Sequence, residues 1–178
     1  MLASCLVNSQ PSPKSEIPKN AVRIEVKWAI YFSLMTLAWM LLEKLVGLHG
    51  KYIDYHIYLT NLFAIPAIAF MVFALKDKKK NAYQGDMSYK QGLISGVILS
   101  LFIALLSPLT QWITSYVITP EYFPNVINRS VELGYYPTTE AAEAHFNFKK
   151  FAVSSTIFAF IFGVITTAIA MIFIRTRK

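Results

Sequence analysis

The sequence predicts an all-α protein, an integral membrane four-helix bundle, and three observations predict it. Four apolar stretches, at about residues 26–48, 57–75, 92–119 and 151–174, are each long enough to cross a hydrocarbon core of roughly 30 Å as an α-helix. Basic residues crowd at alternate ends of these stretches. Hydrophobic residues make up 55% of the 178 positions and charged ones only 15%, the balance of a chain with much of its length in lipid. Trp28, Tyr31, Tyr52, Tyr55, Tyr58, Trp112 and Tyr116 fall near the ends of the stretches, where amphipathic rings prefer the headgroup level.

The charge pattern predicts an orientation. Lys14, Lys19, Arg23 and Lys27 precede the first span, Lys76, Lys78, Lys79, Lys80 and Lys90 join the second to the third, and Arg175, Arg177 and Lys178 follow the fourth. On the opposite side Lys44, Lys51, Arg129, Lys149 and Lys150 are outnumbered by Glu43, Asp54, Glu121, Glu132, Glu140 and Glu143. Basic loops stay cytoplasmic, so the bundle is expected with both termini inside, in a cell inner membrane. The net charge of +7 then needs no nucleic-acid partner, since it orients the chain and can rest against anionic headgroups.

Residues 1–22, with Pro11, Pro13 and Pro18 among Ser and Asn, read as a flexible cytoplasmic arm, and 23–178 as one membrane domain. Leu2-Ala3-Ser4-Cys5 spells the sequence that precedes a lipid-modified cysteine. Only Met1 stands ahead of it, where a secretory signal needs a charged start and an apolar run, so lipidation is not expected. With Cys5 the only cysteine, no internal disulfide can form.

The spans differ in what they carry. Pro66 in the second and Pro108 in the third each remove a backbone hydrogen bond and predict a kink, with Asn61 and Ser107 placed to satisfy freed carbonyls. A static bend is the plainer reading and a transporter-like hinge the sharper one. On the third span Gly92, Gly96, Ser100 and Ala104 recur every fourth residue, and on the fourth Ser155, Ala159, Gly163 and Thr167 do the same. Small residues at this spacing let helix backbones approach closely in lipid, so the two rows are expected to face each other or, less favoured, a second copy of the chain. Weaker rows occur at Ala29 and Ser33, and at Thr60 and Ala64.

Polar groups gather toward the outer leaflet. Glu43, Lys44, Asp54, His56, Asn61, Gln111, Lys149 and Lys150 all fall there in an up-down-up-down bundle. The plain reading is an interfacial network tying helix ends together, and the sharper one a shallow pocket for a lipid headgroup or small anion. His49, His56 and His145 are all placed at the outer surface, none pairing with another at i, i+4, and no histidines lie deep enough to ligate a haem. A surface zinc site from these histidines and Asp54 is a remote alternative, so no metal, no cofactor and no catalytic residue is assigned.

Between the third and fourth spans, residues 120–148 are expected to form two short helices on the outer surface. Thr119-Pro120-Glu121 reads as a helix start, Phe123, Ile127 and Val131 recur at helical spacing, and Gly134 offers a stop. Thr138 or Thr139, with Glu140 and Glu143 behind it, starts the second. The patches Gly92-Leu-Ile-Ser-Gly, Ser107-Pro108, Ile118-Thr-Pro-Glu-Tyr-Phe, Ser130-Val-Glu-Leu-Gly and Glu140-Ala-Ala-Glu-Ala-His-Phe-Asn, in this order, resemble the bacterial inner-membrane family catalogued as domain of unknown function 4199. The resemblance covers residues 24 to 177 and implies a four-span protein with an outer helical loop before the last span. It brings no activity or site residue. A non-enzymatic membrane subunit or scaffold is therefore the favoured expectation, its partners being the bilayer and either another membrane protein or a second copy. A small oligomeric carrier, channel or lipid-binding protein is the alternative, and an enzyme ranks last.

Overall fold

The computed structural model describes residues 21–176, so Cys5, Lys14, Lys19, Arg177, Lys178 and nearly all of the proline-rich arm lie outside the described residues. Seven α-helices run through it: α1 (Ala21–Leu45), α2 (Ile53–Leu59), α3 (Ala64–Ala82), α4 (Tyr89–Ile113), α5 (Tyr122–Glu132), α6 (Thr139–Glu143) and α7 (Phe148–Ile174). No strand occurs among the described residues. Four helical stretches, Val22–Leu45, Ile53–Ala82, Tyr89–Ile118 and Thr139–Ile174, are long and apolar enough to cross a membrane, as a multi-pass membrane protein requires. Helix α4 packs against α1, α3 and α7, and α3 also touches α1 and α7. One end of the molecule carries α2, α5 and α6; the other carries the α3–α4 turn and the last described residues.

Each long helix is cut by a local device. The end of α1 is a Schellman motif, with the Leu48 N–H donating to the Glu43 carbonyl at 3.0 Å and the Gly47 N–H to that of Lys44 at 2.9 Å. This motif needs a left-handed residue at its pivot, and Gly47 takes it at φ +86°. The same motif ends α5, where Tyr135 and Gly134 donate to Ser130 and Val131 at 2.9 Å each. Helix α4 starts earlier than the apolar pattern indicates because Ser88 and Gln91 form a capping box, each side chain accepting from the other's backbone N–H at 3.3 and 2.9 Å. Asn147 caps α7 through the Lys150 N–H at 3.0 Å, adding most of a turn before Phe151.

The prolines act in different ways. Pro66 cannot donate to the carbonyl of Leu62, and the chain just before it tightens into a 3-10 turn at Thr60–Phe63, between α2 and α3. Pro108 stays inside α4, which continues to Ile113 and then widens into a π turn at Thr114–Ile118. The expected helper side chains bond elsewhere than to the carbonyls these prolines free. Asn61 donates to Ile57 at 2.7 Å, and the Ser107 hydroxyl crosses to Ser155 Oγ at 3.0 Å.

Helices α4 and α7 lie antiparallel with their small residues in register. A Cβ added to Gly92 would fall 2.2 Å from Met171, one on Gly96 2.1 Å from Thr167, and one on Gly163 2.3 Å from Ser100. At Gly96 and Gly163 a Cβ would displace the short side chains of Thr167 and Ser100, while at Gly92 only the flexible end of Met171 must shift, so the glycines let the two helices pack closely. Beside this seam Ala29, Met71, Ala74, Leu99 and Ile103 form a core shared by α1, α3 and α4. Leu75, Met87, Ala170 and Met171 form a second core nearer the α3–α4 turn. There the last described residue is tied down, since Thr176 donates to the Met87 carbonyl at 2.9 Å and accepts from its N–H at 3.1 Å.

Candidate functional site

Among the described residues, the Gly47 turn brings together a largely buried cluster of one carboxylate and two imidazoles. The Schellman motif turns the chain after Leu45 and brings His49 against Glu43. Helix α2 then supplies His56. Glu43 and His49 are almost fully enclosed, each with 2% of its side chain exposed, and His56 retains 17%. His49 Nε2 lies 3.2 Å and His56 Nε2 3.4 Å from the same carboxylate oxygen, Glu43 Oε2. The other oxygen, Oε1, accepts a 2.6 Å hydrogen bond from Trp39 Nε1 one turn back on α1, and Thr60 also donates to this carboxylate.

Helix α5 closes the site. Tyr122 sets its ring against both imidazoles, with centroids 5.3 Å from His49 and 5.0 Å from His56, and the imidazole centroids are 5.2 Å apart. Burial, and after it the negative charge of Glu43, push the Tyr122 phenol up to about 12, so it stays protonated at any physiological pH. Asn125, a turn further on, donates to the His49 carbonyl at 2.8 Å. Two imidazole nitrogens remain without a properly aligned hydrogen bond among the described residues: His49 Nδ1, and His56 Nε2 despite its closeness to the carboxylate.

The structure divides the polar residues that the sequence groups together. Glu43 and His56 meet. Lys44 turns away to the Ile118 carbonyl at the end of the π turn, with Glu121 3.6 Å off, where a cation complements a helix C-terminus. Asp54 takes a bidentate pair from Arg129 at 2.7 Å on each oxygen, which pins α5 over α2. Asn61 bonds within its own helix, and Gln111 donates to Ser115 at 3.0 Å, one turn on along the same span. Lys149 and Lys150 are exposed at the start of α7. His145 is exposed too, stacked near Tyr136 and Phe146 at 5.7 and 5.0 Å. The expectation that all three histidines lie at the surface is corrected for His49, which is 1% exposed. The sequence signal that could have found it is Gly47, two residues past the last helical position and so a pivot that brings the chain back.

The far end holds a second set of charges with different partners. Glu25 and Lys78, each with 4% of its side chain exposed, pair at 2.5 Å between α1 and α3. Asp77 receives Lys27 at 2.5 Å, Trp28 Nε1 at 2.6 Å, and Asn81. Lys79 caps α7 by donating to the Ile174 carbonyl at 2.7 Å. Nearby, an open depression of about 450 Å³ is lined by Lys76, Lys79, Lys80, Gln84 and Gly85.

Among known proteins, residues 27–176 match the family described as protein of unknown function, DUF4199. No curated protein and no solved structure matches the chain.

Proposed function

The chain belongs to the DUF4199 family of proteins of unknown function, and with no activity attached to that membership we propose, from its own geometry, a non-enzymatic membrane subunit that holds a partner protein. It sits in a bacterial inner membrane as a four-helix bundle with both termini cytoplasmic, which places α2, α5 and α6 outside. The observation that supports this reading is the α4–α7 seam, where Gly96 and Gly163 meet Thr167 and Ser100 with no room for a Cβ. Side chains of the facing helix fill the space over these glycines, so close helix–helix packing rather than an open channel marks this seam. The side chains that a carrier would use are engaged locally, Asn61 with Ile57 and Gln111 with Ser115. A second reading, a lipid-binding protein, is favoured at the other end by the lysine-lined depression, where Lys76 and Lys80 are exposed to a headgroup. Purification in mild detergent after cross-linking in native membranes is the test. A stoichiometric partner protein is expected, and repeated recovery of the bare chain, or of the chain with lipid alone, would count against the subunit.

A further inference from the structure

We propose that Glu43, His49 and His56 form a binding site for a divalent transition-metal ion of the zinc class. One ligand atom from each of the three residues lies within 4.8 Å of the others. Two of the edges are 3.2 and 3.4 Å, from Glu43 Oε2 to each histidine Nε2. Tetrahedral zinc with bonds of about 2.0–2.1 Å sets its ligands roughly 3.3–3.4 Å apart, which the two edges to the carboxylate match, and the third edge, within 4.8 Å, needs at most a small closure of the imidazoles. Two imidazoles and one carboxylate also make a donor set that such ions prefer over magnesium or calcium, which seek oxygen.

Two features separate this from a hydrogen-bonded cluster. His56 Nε2 is buried and lies 3.4 Å from the carboxylate without a well-aligned hydrogen bond to it, so this nitrogen has ligating capacity to spare. The carboxylate is also held by its other oxygen, since Trp39 Nε1 donates to Oε1 while the imidazoles face Oε2. Outer contacts of this kind fix ligand orientation at metal sites. With three protein ligands the fourth position is left to water or to a group brought by a partner. The ion would join α1, the Gly47 turn and α2 beneath α5, clamping the helical-loop end.

The test uses the full chain in detergent, without a histidine tag, stripped by chelator and titrated with Co2+. One equivalent should bind with the intense visible bands of tetrahedral cobalt and be displaced by Zn2+. The same titration on His145→Ala should be unchanged, and on His56→Ala and Glu43→Gln affinity should fall by about 100-fold or more. Trp39→Phe, which removes only an outer contact, should weaken binding by roughly 10-fold, and it keeps the test open if the ligand variants fail to fold. Wild-type protein that takes up no stoichiometric cobalt overturns the proposal, as does equal affinity in Glu43→Gln or Trp39→Phe.

Discussion

Helix α1 buries a carboxylate near each of its ends, and the two are neutralised in opposite ways. Glu25 meets Lys78 at 2.5 Å, a side chain that carries its own positive charge. Glu43 meets two imidazoles, which carry a charge only when protonated. A buried anion must be compensated, because taking it out of water costs several kcal/mol that only a close cation or good hydrogen bonds offset. At one end the chain supplies that cation permanently; at the other it supplies imidazoles and hydrogen bonds, and a positive charge enters only with a proton or a metal. The first arrangement is a fixed joint between α1 and α3. The second is a joint whose strength depends on what binds.

The comparison breaks most visibly if its fixed joint is removed from one side. Lys78→Met leaves Glu25 buried at 4% exposure with Oε2 already lacking a hydrogen bond, and should destabilise the protein by about 3–5 kcal/mol. The double variant Glu25→Gln with Lys78→Met should recover most of the loss, since replacing both partners removes the uncompensated charge. Thermal unfolding of the detergent-solubilised protein reads both. A double variant as unstable as the single one would show that the pair contributes through packing rather than charge.

At the other end the matching change should do less. Glu43→Gln keeps an oxygen for Trp39 and removes the charge that nothing permanent neutralises, so in metal-free protein it should shift stability by about 1 kcal/mol or less. Saturating zinc should then separate the two proteins, because a ligand bound only to the folded state adds stability, about 2.7 kcal/mol at a hundredfold excess over Kd, and the variant lacks the site. A large loss in metal-free Glu43→Gln would mean that the carboxylate is compensated without an ion, and the contrast between the ends would disappear.

These two ends also show what the sequence could and could not disclose. The four spans are legible because about twenty apolar residues in a row have few other uses. Their ends are less so. Residues 21–25 fall before the apolar stretch that begins at about 26, yet they are helical, and Glu25 among them pairs with Lys78, 53 positions away. Lys27, Lys78 and Lys79, read as headgroup charge, are engaged by Asp77, Glu25 and the Ile174 carbonyl. The rows on α4 and α7 could be read because small residues every fourth position can do little but let helices approach. The site could be read only as a set of polar residues at one end. Which of them meet depends on the Gly47 reversal and on α5 folding back, with Arg129 reaching Asp54 and Tyr122 covering the imidazoles.

The smallest expected effect concerns that cover. Arg129 joins α5 to α2 through a bidentate bond to Asp54, and also bonds Glu132 three residues on at 3.1 Å. Those two carboxylates push its already high pKa further up, so the guanidinium stays charged at any usable pH. The pair is solvent-exposed and salt screens it, so its removal should leave global unfolding almost unchanged. Its effect should be local. In Arg129→Ala, α5 is held over the imidazoles chiefly by Tyr122 and by Asn125 on the His49 carbonyl, and amide exchange in Tyr122–Glu132 should quicken while α4 and α7 keep their protection. High salt should produce the same pattern in wild-type protein, whereas the buried Glu25–Lys78 joint should not respond. Exchange that rises equally at both ends would mean that α5 is not a separate lid on a conditional site but part of the same rigid unit as the fixed joint.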